Sequence, residues 1–168
     1  MPNSDDDALR LECTLEAFEA LHPSLQEAIR RAARRYHDAR PDEPPWRVTS
    51  ARRTLRRQAE LMAACTPEQL LAMYASRGRP QYIDAILAAA QPLDADAVYA
   101  ILQTRTEGYI SRHLFGGAAD LGANGVADPA LLKRLLAAEG AAVLDERDCG
   151  IPCYHVSWPD APVQIVRE

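Results

Sequence analysis

Two short stretches carry residues whose types could hold a metal ion. Residues 111–122 read SRHLFGGAADLG, with His113 and Asp120 seven apart. On one straight helix that spacing puts them ~10 Å apart along the axis. On one straight strand they are ~23 Å apart and on opposite faces. Neither arrangement lets both touch an ion whose ligand bonds are ~2 Å long, so the chain must fold back between them. Gly116-Gly117 sits where that turn is needed. Taken alone, the spacing favours a core His and a turn Asp beside a glycine bend. Residues 153–158 read CYHVSW. As a strand they place Tyr154, Val156 and Trp158 on one face and Cys153, His155 and Ser157 on the other. The first face is core; the second presents an imidazole among small polar groups, as a cleft wall would. A lone strand His is ordinarily a satisfied polar residue. With His113 and Asp120, however, it completes a His-Asp-His set suited to zinc that leaves a fourth position open, the mark of a catalytic rather than a structural site.

A third stretch is VTSARRTLRRQ, residues 48–58. A strand end runs through Thr49-Ser50 into a helix, with Arg53 and Gln58 placed to point back across the strand tip. A guanidinium can clamp a carboxylate with two parallel hydrogen bonds, which Lys cannot copy. The competing reading makes Arg53 one more solvated side chain of the Arg-rich stretch 30–57.

Around these stretches the elements are legible. The first 45 residues read as helical, with Ser24 and Glu27 as a capping box opening an apolar-periodic run through Leu25, Ile29, Ala32, Ala33 and Tyr36. PDEPP at 41–45 stops that helix and marks the boundary between an N-terminal extension (1–45) and the remaining domain (46–168). Residues 47–50 read as extended and 51–64 as a helix. Thr66 caps another helix with Pro67 at its first position. Segments 80–90, 94–104 and 128–138 also read as helices. The last third turns to strands at 141–146, 153–158 and 163–168, separated by Gly- and Pro-bearing turns. The expected class is α+β: a helical N-terminal part packed on a small antiparallel sheet that carries the cleft.

Bulk composition narrows the chemistry. With 168 residues the chain can bury a core without disulfides or metal. Four His and four Cys allow only a sparse site, mononuclear and partly carboxylate-ligated. Cys13 and Cys65 read as single buried thiols. Cys149 and Cys153 form a C-x3-C that fits neither the zinc nor the thioredoxin signature. Of 19 basic residues all but Lys133 are Arg, and the net charge is -5, which argues against a dedicated nucleic-acid binder. No stretch approaches the ~18 apolar residues that span a bilayer. The acidic opening MPNSDDDALRLE shows no basic region followed by an apolar one, so no signal peptide is expected.

The three stretches together resemble the zinc D-alanyl-D-alanine peptidases (peptidase M15, VanX/VanY-like), a family on the Hedgehog/DD-peptidase fold that includes phage L-alanyl-D-glutamate endopeptidases. The middle motif is present as Ser111, His113, Gly116, Ala118 and Asp120. The first is present as Thr49, Ser50, Arg53, Thr54 and Gln58, with Ala51-Arg52 replacing the usual Gly-Tyr. The likeness covers roughly residues 46–160. It implies His113, Asp120 and His155 as zinc ligands, Arg53 as holder of a substrate carboxylate, and Gln58 and Ser111 as supporting polar groups. The final motif departs from the family. Relatives often have Glu-x-x-His, with the Glu as general base, or His-x-His; here Pro152 sits three before His155 and Cys153 replaces the first His of the pair. The nearest upstream carboxylates are Asp145, Glu146 and Asp148. If 141–147 and 153–158 form a hairpin, register decides which lies opposite His155. Glu146 is the first choice of base and Asp148 the second.

The expected activity is zinc-dependent hydrolysis of peptidoglycan stem peptides, as a carboxypeptidase or an endopeptidase. The rival expectation is a binding module that kept the fold and lost the base. A weaker third, nucleic-acid or anionic-surface binding by segment 30–57, is opposed by the net charge. A cell-wall enzyme without a signal peptide is expected to reach the wall after lysis, like an endolysin, or through a dedicated secretion system. The N-terminal helices are then an export, partner-docking or regulatory segment.

Overall fold

The computed structural model describes residues 7–74, 80–89, 94–104 and 110–168. These form seven α-helices and a five-stranded mixed sheet. The chain separates into two compact units, 1–52 with 116–162 and 53–115 with 163–168.

The first unit contains the sheet: β1 (Leu9–Leu11), β2 (Trp46–Ser50), β3 (Ala118–Gly122), β4 (Ala142–Asp145) and β5 (Cys153–Ser157), in the order β1-β2-β3-β5-β4. β1 runs parallel to β2, and the other neighbours are antiparallel. The sheet is therefore mixed rather than antiparallel, because a strand inside the supposedly all-helical first 45 residues joins its edge. One face is dry. Val48, Leu121, Tyr154 and Val156 bury there with Phe18 of α1 (Leu15–Glu19), with Leu25, Ile29 and Tyr36 of α2 (Pro23–Ala39), and with Leu132 and Leu136. Residues 8–36 thus share one core with the sheet, and PDEPP ends a helix without ending a compact unit.

α2 also begins earlier than a Ser24 cap would have it. Pro23 fills the first helical position, where its missing N–H costs nothing. His22 is the cap, its Nδ1 accepting from Ser24 N at 3.3 Å, and its ring stacks on Trp158.

The second unit is helical: α3 (Leu55–Ala63), α4 (Pro67–Tyr74), α5 (Pro80–Ala89), α6 (Ala95–Gln103) and a 3-10 turn at Arg112–Phe115. Leu55, Met62, Leu70, Ile83, Ile86, Leu102 and Leu114 form its core. Thr66 accepts from Gln69 N while its own N–H donates to Gln69 Oε1, a reciprocal capping pair. α3 starts only at Leu55, capped by Thr54, so Arg53 lies ahead of the helix rather than within it. Residues 163–168 are not a strand. The end of the chain is instead tied to the start of α3, with Glu168 O accepting from Leu55 N. The last helix, α7 (Pro129–Ala138), belongs to the first unit and is capped by Asp128.

Candidate metal centre

The face of the sheet opposite the dry core carries the polar chemistry. β3 and β5 pair antiparallel with Asp120 directly opposite His155, so both side chains leave the same face. The His155 Nδ1 and Asp120 Oδ1 atoms are 3.1 Å apart, and both residues are largely shielded from solvent. Thr49 on β2 donates its hydroxyl to Asp120 O and Ser50 is the cross-strand partner of Asp120, so this residue is fixed from both sides.

The turn required between His113 and Asp120 is at Gly116. Its φ of 74° lies in the left-handed region, and a Cβ there would overlap the carbonyl oxygen of Ala20. The peptide groups on either side are used: Gly116 O accepts from His22 N, and Gly117 O accepts from Trp158 N. His113 is 1% exposed and sits in the 3-10 turn, whose first N–H groups need partners; its own N–H donates to Ser111 Oγ. Within the first unit Asp120 and His155 each offer a ligand atom, while His113 belongs to the second unit.

The carboxylates upstream of β5 divide differently from any simple hairpin ladder. Leu144, not a carboxylate, is the register partner of His155, and Asp145 pairs with Tyr154. β4 then ends and a 3-10 turn, Glu146–Cys149, follows. From this turn Glu146 is buried and accepts a hydrogen bond from Cys153 Sγ at 3.3 Å, whereas Asp148 is exposed. Oxygen atoms of Asp120 and Glu146 and the sulfur of Cys153 form a second group within 4.8 Å of one another. Asp145 caps the turn by accepting from Arg147 N. The Arg147 side chain on its carboxylate, with Lys133 behind it, holds Asp145 well below the usual carboxylate range. The chain's only Lys therefore helps to fix the turn that delivers Glu146, a role the composition does not announce.

In the second unit, the remaining residues named from sequence form a chain of contacts. Arg53 Nη1 donates to Gln58 Oε1 at 3.2 Å, and fully buried Gln58 donates through Nε2 to Tyr74 OH at 2.8 Å. The Arg53 N–H donates to His113 O. Gln58 thus orients Arg53, and Tyr74 orients Gln58. Tyr74 had no sequence signal beyond an aromatic at core spacing.

The donor set fits a borderline divalent cation. An imidazole and a carboxylate are donors of the catalytic zinc type, and two atoms on one tetrahedral ion with bonds of ~2.0–2.1 Å lie ~3.3 Å apart, close to the His155–Asp120 separation. Elsewhere the thiols are unremarkable: burial pushes Cys13 and Cys65 up, which keeps them protonated and inert at neutral pH. No helix among the described residues is long and apolar enough to cross a membrane. Comparison with models of known protein families, with curated proteins and with solved structures found no match to this chain.

Proposed function

We propose that this chain is a zinc-dependent peptidoglycan peptidase, hydrolysing stem-peptide bonds, on a Hedgehog/DD-peptidase-like fold of the zinc D-alanyl-D-alanine peptidase type. The observation that carries this reading is the shielded Asp120–His155 pair, 3.1 Å apart across the β3–β5 ladder, to which the sequence resemblance adds His113 as third ligand. Its support from sequence is the order of the Arg, His/Asp and strand-His motifs.

His113, Asp120 and His155 would hold the ion. Zinc bound there supplies Lewis acidity toward a carbonyl and lowers the pKa of water to ~7. The other tasks belong to the chain. Glu146, buried and within reach of Asp120, is the proton acceptor and donor. Asp148 is too exposed to be sheltered with the reacting groups. Arg53, pre-oriented by Gln58, clamps a substrate carboxylate; Ser111 holds the turn that carries His113. The substrate is a stem peptide, and the exposed apolar Leu144 opposite His155 lies on the face it would cross.

The test is a digest of purified sacculi with zinc-loaded protein, read by mass spectrometry of released muropeptides alongside metal analysis. New peptide termini and about one tightly held zinc are expected. Neither zinc nor cleavage products would end the proposal. One observation favours a second reading, a peptidoglycan- or partner-binding module with impaired catalysis: the Cys153 thiol already donates to the proposed base. Under that reading zinc binds and sacculi are retained uncut. Delivery to the wall would follow lysis or a dedicated secretion system. A phage or secretion partner would meet the outer, Arg-bearing side of α2, since its apolar side is buried.

A further inference from the structure

We propose that the first unit contains a second divalent-cation position, formed by Asp120, Glu146 and Cys153 and adjoining the first through the shared Asp120 carboxylate. This rests on reading His113, Asp120 and His155 as the first position. All three residues are buried, and one ligand atom from each lies within 4.8 Å of the others. The Cys153 sulfur is 3.3 Å from Glu146 Oε2. An ion with a Zn–S bond of ~2.3 Å and a Zn–O bond of ~2.0–2.2 Å holds such a pair ~3.5 Å apart, so little rearrangement separates the hydrogen bond from shared ligation.

Cys153 faces Gly122 across the β3–β5 ladder, so no side chain projects from β3 opposite the thiol. A Cβ at Gly122 would lie 2.7 Å from Arg47 Nη2, and the Arg47 charge beside it is matched by Glu12 at 3.1 Å.

One thiolate with two carboxylates suits zinc or cobalt rather than magnesium or calcium, which take oxygen ligands alone. Binding converts the Cys153 S–H to thiolate and releases that proton to solvent. A carboxylate bridging two ions is the arrangement of two-metal sites, whose ions sit ~3.5–4 Å apart. The second ion has a consequence for catalysis. It ties Glu146 up as a ligand, so metal beyond the first equivalent inhibits hydrolysis. Cys153 is then a metal-dependent brake rather than a remnant of a lost histidine.

The experiment is a titration of the metal-free, reduced full chain with Co2+, followed by absorption spectroscopy and by metal analysis after equilibrium dialysis. Two equivalents are expected. The first brings visible ligand-field bands; the second adds a near-ultraviolet sulfur-to-cobalt charge-transfer band. Cys153→Ser keeps the first equivalent and loses the second together with that band. Cobalt bound without a charge-transfer band overturns this proposal and leaves the first position standing, Cys153 then serving only to hold Glu146. A charge-transfer band that saturates with a single equivalent also overturns it, since the thiolate would then belong to the first ion. No cobalt retained at all removes both positions.

Discussion

Along β5, alternate residues face two different environments. Tyr154 and Val156 are 0% exposed and pack into a core shared with α2 and α7, while Cys153 and His155 leave the opposite face with Asp120 beside them. The dry face obeys volume and contact; its chemistry is interchangeable among apolar residues of similar size. At Asp120, Cys153 and His155 the polar face obeys donor type and position, and none of these three can be exchanged for its shape alone. A single-residue slip of β5 would trade the two sets, burying an imidazole and exposing a valine, so the dry face fixes the register that the polar face needs.

Substitutions on the two faces should therefore fail in different ways. The largest effect belongs to the proposed ligands: His155→Ala or Asp120→Ala removes the first zinc equivalent and lowers muropeptide cleavage by at least ~10³-fold, while circular dichroism stays that of a folded chain. On the dry face, Val156→Ala or Leu121→Ala costs about 1–4 kcal/mol in denaturant unfolding, with zinc stoichiometry of the folded fraction unchanged. If the two kinds of variant lost zinc and stability in parallel, the division of labour between the faces would be wrong.

Glu146→Gln sharpens the polar side further. It keeps the shape and one acceptor, so the first zinc equivalent holds while kcat falls by about 10²–10⁴-fold. Unchanged kcat would take the base away from Glu146. Gln58→Leu is milder. It unties Arg53 and leaves Tyr74 OH without its buried donor, at about 1–3 kcal/mol in unfolding, and raises KM for carboxylate-bearing substrates more than it lowers kcat. The smallest effect concerns acid. The Asp145 pKa is depressed in the folded chain below its unfolded value of ~3.9, so its contribution is present above that pH and fades as pH falls through the lower folded value. Asp145→Asn lowers stability at neutral pH slightly and flattens the loss of stability below about pH 4, as acid titration of unfolding would register.

What the sequence made legible follows the same divide. Local rules reached the Thr66 cap, the three helices 80–89, 95–103 and 129–138, and the turn at Gly116, because each depends on a few adjacent residues. The pairing of Asp120 with His155 was reachable only as chemistry, from donor types, since no local rule joins residues 35 apart. Long-range pairing hid the rest. β1 is three residues whose strand character comes from lying beside β2, and VQIVRE alternates like a strand yet has no ladder to enter. Register left the choice of carboxylate open: Leu144 takes the place opposite His155, and Glu146, the first choice from sequence, is buried from a turn that Asp145, Arg147 and Lys133 stabilise from outside.

The central claim is that His113, Asp120 and His155 hold one catalytic zinc. It is tested most directly by equilibrium dialysis of the metal-free chain against limiting zinc, with His155→Ala alongside and muropeptide release measured on the same samples. The account predicts cleavage that rises in proportion to zinc up to the first equivalent and is lost in the variant. Cleavage that is indifferent to zinc, or cleavage retained by His155→Ala, would contradict it.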